Sequence, residues 1–260
     1  MNRRTFLKLS LGSAVALNMT PRFAAAIPPP EDPFKISLAE WSLNRSLFSK
    51  QITNLDFPRV AKREFDIDTI EFVDQFFADK ATDESYLSEL KRRAEDEGVS
   101  MGLIMIDMNG PLGSPDSAQR AAAVAKTKEW VDAAKFLGCH TIRFNARGAS
   151  DPAELRRLMA DSCAQIADYA APKNINVTIE NHGGPSSDPD WLVGLMRAVD
   201  KPNFGTLPDF GNFSAEVDRY DAVERFMPYA KAVSAKATQF SPDGEVTDTD
   251  LTRMMRIVRD

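Results

Sequence analysis

From Ile36 onward the chain alternates short apolar runs with longer amphipathic ones, a pair roughly every thirty to forty residues, which is the rhythm of repeated βα units. The apolar runs predict strands at 36–41, 69–73, 101–107, 141–145, 175–181, 204–209 and 233–238. The amphipathic stretches predict helices, most clearly at 84–97, 115–137, 152–170, 191–199, 220–227 and 248–260. Several open on Asp, Ser or Pro, residues suited to a helix start. Seven such pairs point to an α/β fold, a TIM-type (β/α)₈ barrel. The eighth βα unit is expected to be lacking, because the last helix runs to Asp260. A doubly wound open sheet is the alternative, but no Gly-x-Gly-x-x-Gly follows the first strand, which counts against its dinucleotide-binding version. Seven strands would leave two edges unpaired, so self-association through open barrel edges is expected.

Parallel α/β folds place their chemistry at the carboxyl ends of strands. Two predicted strands end in a carboxylate there, Val177-Thr-Ile-Glu180-Asn-His182-Gly-Gly and Gly205-Thr-Leu-Pro-Asp209-Phe-Gly-Asn212. Side chains alternate along a strand, so Val177 and Ile179 face the helices while Thr178 and Glu180 face the barrel axis. The same rule sets Glu71, Arg143, Asn145, Asp209, Ser234, Lys236 and Thr238 on the inner face, a polar cup. Buried carboxylates must be matched by a metal, a cation or substrate hydroxyls. The competing reading is a structural salt bridge for Glu180 and a turn or helix cap for Asp209. Glu71 and Arg143 are expected either to pair with each other or to serve the site. Lys236 is expected to be a counter-ion or an electrophile. Of the two histidines, His140 opens a strand and is read as structural, whereas His182 lies just past a strand end before Gly183-Gly184, where backbone can approach a ligand closely.

Through Thr69-Ile-Glu71-Phe, Ile179-Glu180-Asn-His182-Gly-Gly, Gly205-Thr-Leu-Pro-Asp209-Phe-Gly-Asn212 and Val233-Ser-Ala-Lys236, the chain resembles the sugar phosphate isomerase/epimerase family, the xylose isomerase-like TIM barrels, over residues 36–260. The resemblance implies a divalent metal bound after strands five to eight, with Glu180 and Asp209 matching the first two ligands. Where relatives carry a strand-seven His the chain reads Ala237-Thr238-Gln239, and no strand-eight Glu is present. The remaining oxygen-rich donors favour Mg²⁺ or Mn²⁺, with Zn²⁺ or Co²⁺ as alternatives. The implied activity is a metal-dependent isomerase or epimerase of a sugar, polyol or keto-sugar. In it Glu180 removes a proton beside a carbonyl and Lys236 stabilises the enediolate. Glu71, Arg143, Asn145, His182 and Asn212 would bind substrate. A lyase or dehydratase, or a non-catalytic carbohydrate-binding relative, is the alternative.

The N-terminus reads Met1-Asn-Arg3-Arg4-Thr-Phe6-Leu7-Lys8, then a mildly apolar stretch and Ala24-Ala25-Ala26. It resembles a twin-arginine export signal at 1–26, followed by a Pro-rich tether at 27–34 and the barrel domain at 35–260. The apolar stretch is too short for a stable membrane span. Cleavage after Ala26 would remove four cationic residues and no acidic ones, taking the net charge from −6 to −10, which disfavours nucleic acid as a partner. Cys139 and Cys163 lack metal-ligand spacing and are expected as free thiols. A periplasmic or exported location follows. The double substitution Arg3→Lys, Arg4→Lys is expected to hold the protein in the cytoplasm without altering its fold, which cell fractionation checks; undiminished export would refute the twin-arginine reading.

Overall fold

The computed structural model describes residues 34–260, so the expected export signal and nearly all of the tether lie outside the described residues. Among the described residues six strands form one parallel sheet in sequence order. They are β1 (Leu38–Ala39), β2 (Thr69–Val73), β3 (Ser100–Ile106), β4 (Thr141–Phe144), β5 (Asn176–Glu180) and β6 (Phe204–Leu207). The register aligns apolar residues in rows. Phe72 lies opposite Ile104, Ile104 opposite Ile142 and Ile142 opposite Val177. A second row runs Ile106, Phe144, Ile179. All of these are buried in the main core beneath the helices, so the opposite face carries Glu71, Arg143, Thr178 and Glu180, as strand alternation requires.

The helices are α1 (Asn44–Phe48), α2 (Phe57–Phe65), α3 (Glu84–Asp96), α4 (Ser117–Leu137), α5 (Pro152–Ala170), α6 (Pro189–Val199), α7 (Arg219–Phe226) and α8 (Leu251–Arg259). Asp83, Asp116, Asp151, Asp188, Asp218 and Asp250 cap α3 to α8, each carboxylate accepting a first-turn backbone N–H. These caps satisfy donors a helix cannot satisfy for itself, at about 1 kcal/mol each. Parallel strands in sequence order with helices packed on one face form the TIM-barrel type of α/β architecture that the alternating pattern predicts. No helix of the described residues is long and apolar enough to cross a membrane. Cys139 and Cys163 are free and buried.

The expected seventh strand at 233–238 is not a strand. The chain lies beside β6 only through single parallel bridges, Thr206 to Ala230 and Asp209 to Ser234. Gly205 permits the approach, since a Cβ there would meet the Tyr229 carbonyl oxygen at an impossible 2.2 Å. Pro208 supplies a carbonyl to Ser234 N–H at 2.8 Å but has no N–H to return, so the ladder fails at that point. Thr238 then turns away, giving its N–H and hydroxyl to Asp248, while Phe240 pairs antiparallel with Val246. Thr238 therefore does not reach the cup.

The first strand is also shorter than the expected 36–41. After Leu38–Ala39 the chain enters a 3₁₀ turn, Glu40–Leu43. Glu40 is the cause: its fully buried carboxyl accepts Val73 N–H at 2.7 Å and Asn54 Nδ2 at 2.8 Å. A side chain there replaces a backbone acceptor. Burial pushes the Glu40 pKa up to about 8, against the lowering effect of those two hydrogen bonds. An unfolded Glu40 ionises near the ordinary 4.5 whereas the folded one holds its proton to about 8, so the unfolded state binds fewer protons across that window. Stability is therefore expected to fall as pH rises through it, by up to about 1.4 kcal/mol per pH unit from this group. Urea denaturation of Glu40→Gln should lose that component of the slope; an unchanged slope would show that Glu40 is ionised in the fold.

Candidate functional site

At the carboxyl ends of the strands opens a cavity of about 860 Å³. Glu71, Arg143, Glu180, Asp209 and Lys236 line it, with His182 at its mouth and Trp41 and Phe240 among its apolar lining. Trp41 packs with Phe48 and Phe76 at ring-centroid distances of 6.2 and 6.5 Å, an aromatic group on one side of the opening.

Arg143 organises the floor. Projecting from β4 with its side chain only 4% exposed, it donates from Nη1 to Asp107 Oδ1 at 2.9 Å and pairs through Nη2 with Glu180, itself 4% exposed. Asp107 takes further hydrogen bonds from Asn145 Nδ2 at 2.8 Å and Gln75 Nε2 at 3.1 Å. Asp74, buried behind it, accepts the backbone N–H groups of Asp107 and Met108 and so fixes the turn after β3. Arg143 is thus turned towards Asp107 and Glu180, while the Glu71 carboxylate accepts the Ser37 hydroxyl at 2.6 Å. This corrects the expectation of a Glu71–Arg143 contact pair: Asp107, one pleat beyond Met105, competes for the guanidinium. Asp107 was legible, since the alternation Leu103, Met105, Asp107 puts it on the inner face.

A second set of bonds links the two strand-end carboxylates. Glu180 Oε1 accepts Asn212 Nδ2 at 2.8 Å, and Asn212 Oδ1 accepts Lys236 Nζ at 2.9 Å. Lys236 Nζ is also 4.0 Å from Asp209 Oδ2. Asp209 Oδ1 accepts Gly211 N–H at 2.7 Å and Oδ2 accepts the Ser234 hydroxyl at 3.1 Å. Asn181 clasps the Asp209 backbone, donating to its carbonyl and accepting its N–H. Asn145 lies beneath the cavity, buried, and Asn212 faces a neighbouring hollow that it shares with His182. The loop after His182 turns through Gly183 and Gly184 at φ +81° and +56°, a conformation side chains disfavour. Ser186 and Ser187 hydroxyls accept the N–H groups of His182 and Gly183.

Burial raises the Asp209 pKa, with the charge of Lys236 the chief opposing effect. It also raises Glu71, with the Ser37 hydroxyl the chief opposing effect. His182 is pulled down by partial desolvation and then by the Arg143 and Lys236 charges, which favours its neutral form. Both oxygens of Glu180 and both of Asp209 already have protein donors, and Arg143 holds Glu180 as a fixed cation. Among the described residues no group of three His, Cys, Asp or Glu side chains converges to hold a metal. The donor set does not fit a resident divalent ion, which needs several free oxygen ligands.

The family model for xylose isomerase-like TIM barrels matches residues 60–259. The chain belongs to this family. No curated protein matches it in sequence. Solved structures share the fold. D-psicose 3-epimerase, crystallised in the presence of D-fructose, is 20% identical, with 87% of this chain and 81% of that one covered at a TM-score of 0.69. The 3-keto-D-glucoside 4-epimerase YcjR from E. coli is 16% identical, with 80% and 82% covered at 0.66. A xylose isomerase-like TIM barrel protein from Mycobacterium smegmatis in complex with magnesium is 21% identical, with 73% and 68% covered at 0.57.

Removing Asp107 leaves Arg143 buried with its charge half compensated. Asp107→Ala is expected to cost about 3 kcal/mol in urea denaturation; a loss within about 0.5 kcal/mol, the range of an ordinary surface change, would mean that Glu180 alone satisfies the guanidinium.

Proposed function

We propose that this chain acts on a small polyhydroxylated carbonyl compound, a keto-sugar or related polyol, by moving a proton beside the carbonyl. The observation that carries the reading is the chain of contacts from Glu180 through Asn212 to Lys236 and Asp209 on one wall of the cavity. It sets a carboxylate, a cation and a second carboxylate in sequence, the groups that enolisation needs. Glu180 takes the proton from carbon, and the electron pair moves onto the carbonyl oxygen. Lys236 lies where it can stabilise the resulting enediolate. Passing the hydroxyl proton to the former carbonyl oxygen and returning the carbon proton to what was the carbonyl carbon gives an isomer, and return of the carbon proton to the opposite face of its original carbon gives an epimer. Arg143 lines the cavity, and its buried Nε has no hydrogen-bond partner, a donor that a substrate oxygen would satisfy. The two epimerases of like fold support a sugar-type substrate. The divalent metal implied by the resemblance, Mg²⁺ or Mn²⁺ first, meets a donor set that does not fit it, and no step here passes through one.

Binding without turnover is the second reading, favoured because both Glu180 oxygens are already engaged, by Asn212 and Arg143. Incubation with a panel of ketohexoses in D₂O, read by NMR, separates the two. Turnover should place deuterium on the carbon beside the carbonyl, and Glu180→Gln should slow this by about 10²–10⁴-fold. Ligand-induced chemical shifts with no deuterium incorporation would mark a binder, and no response to any sugar would refute the substrate class.

A further inference from the structure

We infer that this chain carries its own cation where the strand-end carboxylates would otherwise take a divalent ion: the Arg143 guanidinium occupies Glu180 and excludes the metal. The inference goes beyond the proposed sugar chemistry and uses no substrate. Arg143 and Glu180 lie on adjacent strands, β4 and β5, with Arg143 in register opposite Thr178, one inner-face position before Glu180. Its Nη2 reaches Glu180 while Nη1 is held by Asp107 at 2.9 Å. The guanidinium is therefore fixed at both arms and cannot swing aside without breaking a second, partly buried ion pair. A divalent ion on Glu180 would face a fixed positive charge, with Lys236 4.0 Å from Asp209 adding another. Repulsion at such distances in a poorly solvated wall is strong. Arginine holds its proton under all ordinary conditions, so pH does not release the block.

The test is Mn²⁺ binding by electron paramagnetic resonance on the whole chain without sugar. Wild-type protein should leave millimolar Mn²⁺ free. Arg143→Gln should gain a site, with affinity raised on the order of tenfold or more, that a further Glu180→Gln abolishes. Because Arg143→Gln strands a partly buried Asp107, the variant Asp107→Asn, Arg143→Gln, which removes both charges, serves as the second probe and should bind likewise. Stoichiometric Mn²⁺ binding by wild type, lost in Glu180→Gln, overturns the inference. So does a variant folded by circular dichroism that binds no more tightly than wild type. If neither variant folds, wild-type melting decides: a Tm raised by Mn²⁺ only when Glu180 is present overturns the inference, and an unmoved Tm upholds it.

Discussion

A guanidinium buried in the inner wall of a sheet costs several kcal/mol in lost hydration, and only well-placed anions offset that cost. Arg143 meets two, one on each neighbouring side: Asp107 after β3 and Glu180 at the end of β5. Much of the floor follows from this demand. Asp107 has to be presented at a set height, so Asp74 grips the backbone that carries it. Glu180 has to face inward, so Val177 and Ile179 before it in the pleat fall against the helices.

The fold was legible because the apolar pattern has only one consistent pleat. Ile142 and Phe144, then Val177 and Ile179, each select the same face, and the register brings them opposite one another. Helix starts were legible in the aspartates that cap them. The site was legible in part. Glu180, Asp209, Lys236 and Arg143 share one cavity, whereas Asn145 is covered and Asn212 acts as a bridge between charges. Arg143's choice of anion was not legible, since alternation says which face a residue occupies but not which neighbour it prefers. The ends of the sheet escaped for a similar reason. A single side chain, Glu40, ends β1, and a residue without an N–H, Pro208, prevents a regular seventh strand; both are local hydrogen-bond events that hydrophobic period does not record.

Membership of a family fixes the scaffold more firmly than the chemistry performed on it. In this chain strand-end carboxylates are retained, yet their oxygens are shared among an arginine, an asparagine, a serine and a backbone N–H. Protein donors of that kind hold a fixed geometry and cannot exchange with solvent as a bound ion can. The site is therefore preorganised by its fold, with Asn181 and the Gly183-Gly184 turn setting the height of its rim.

Asp209 is followed directly by Phe210, which leaves the wall and enters a small separate core with Val223 of α7 and Met254 of α8. The peptide that carries the carboxylate is thereby bolted to the last helix pair, α7 and α8. Any loosening of α8 would be transmitted through one aromatic ring to the position of Asp209, so the last helix acts as a lever on the cavity.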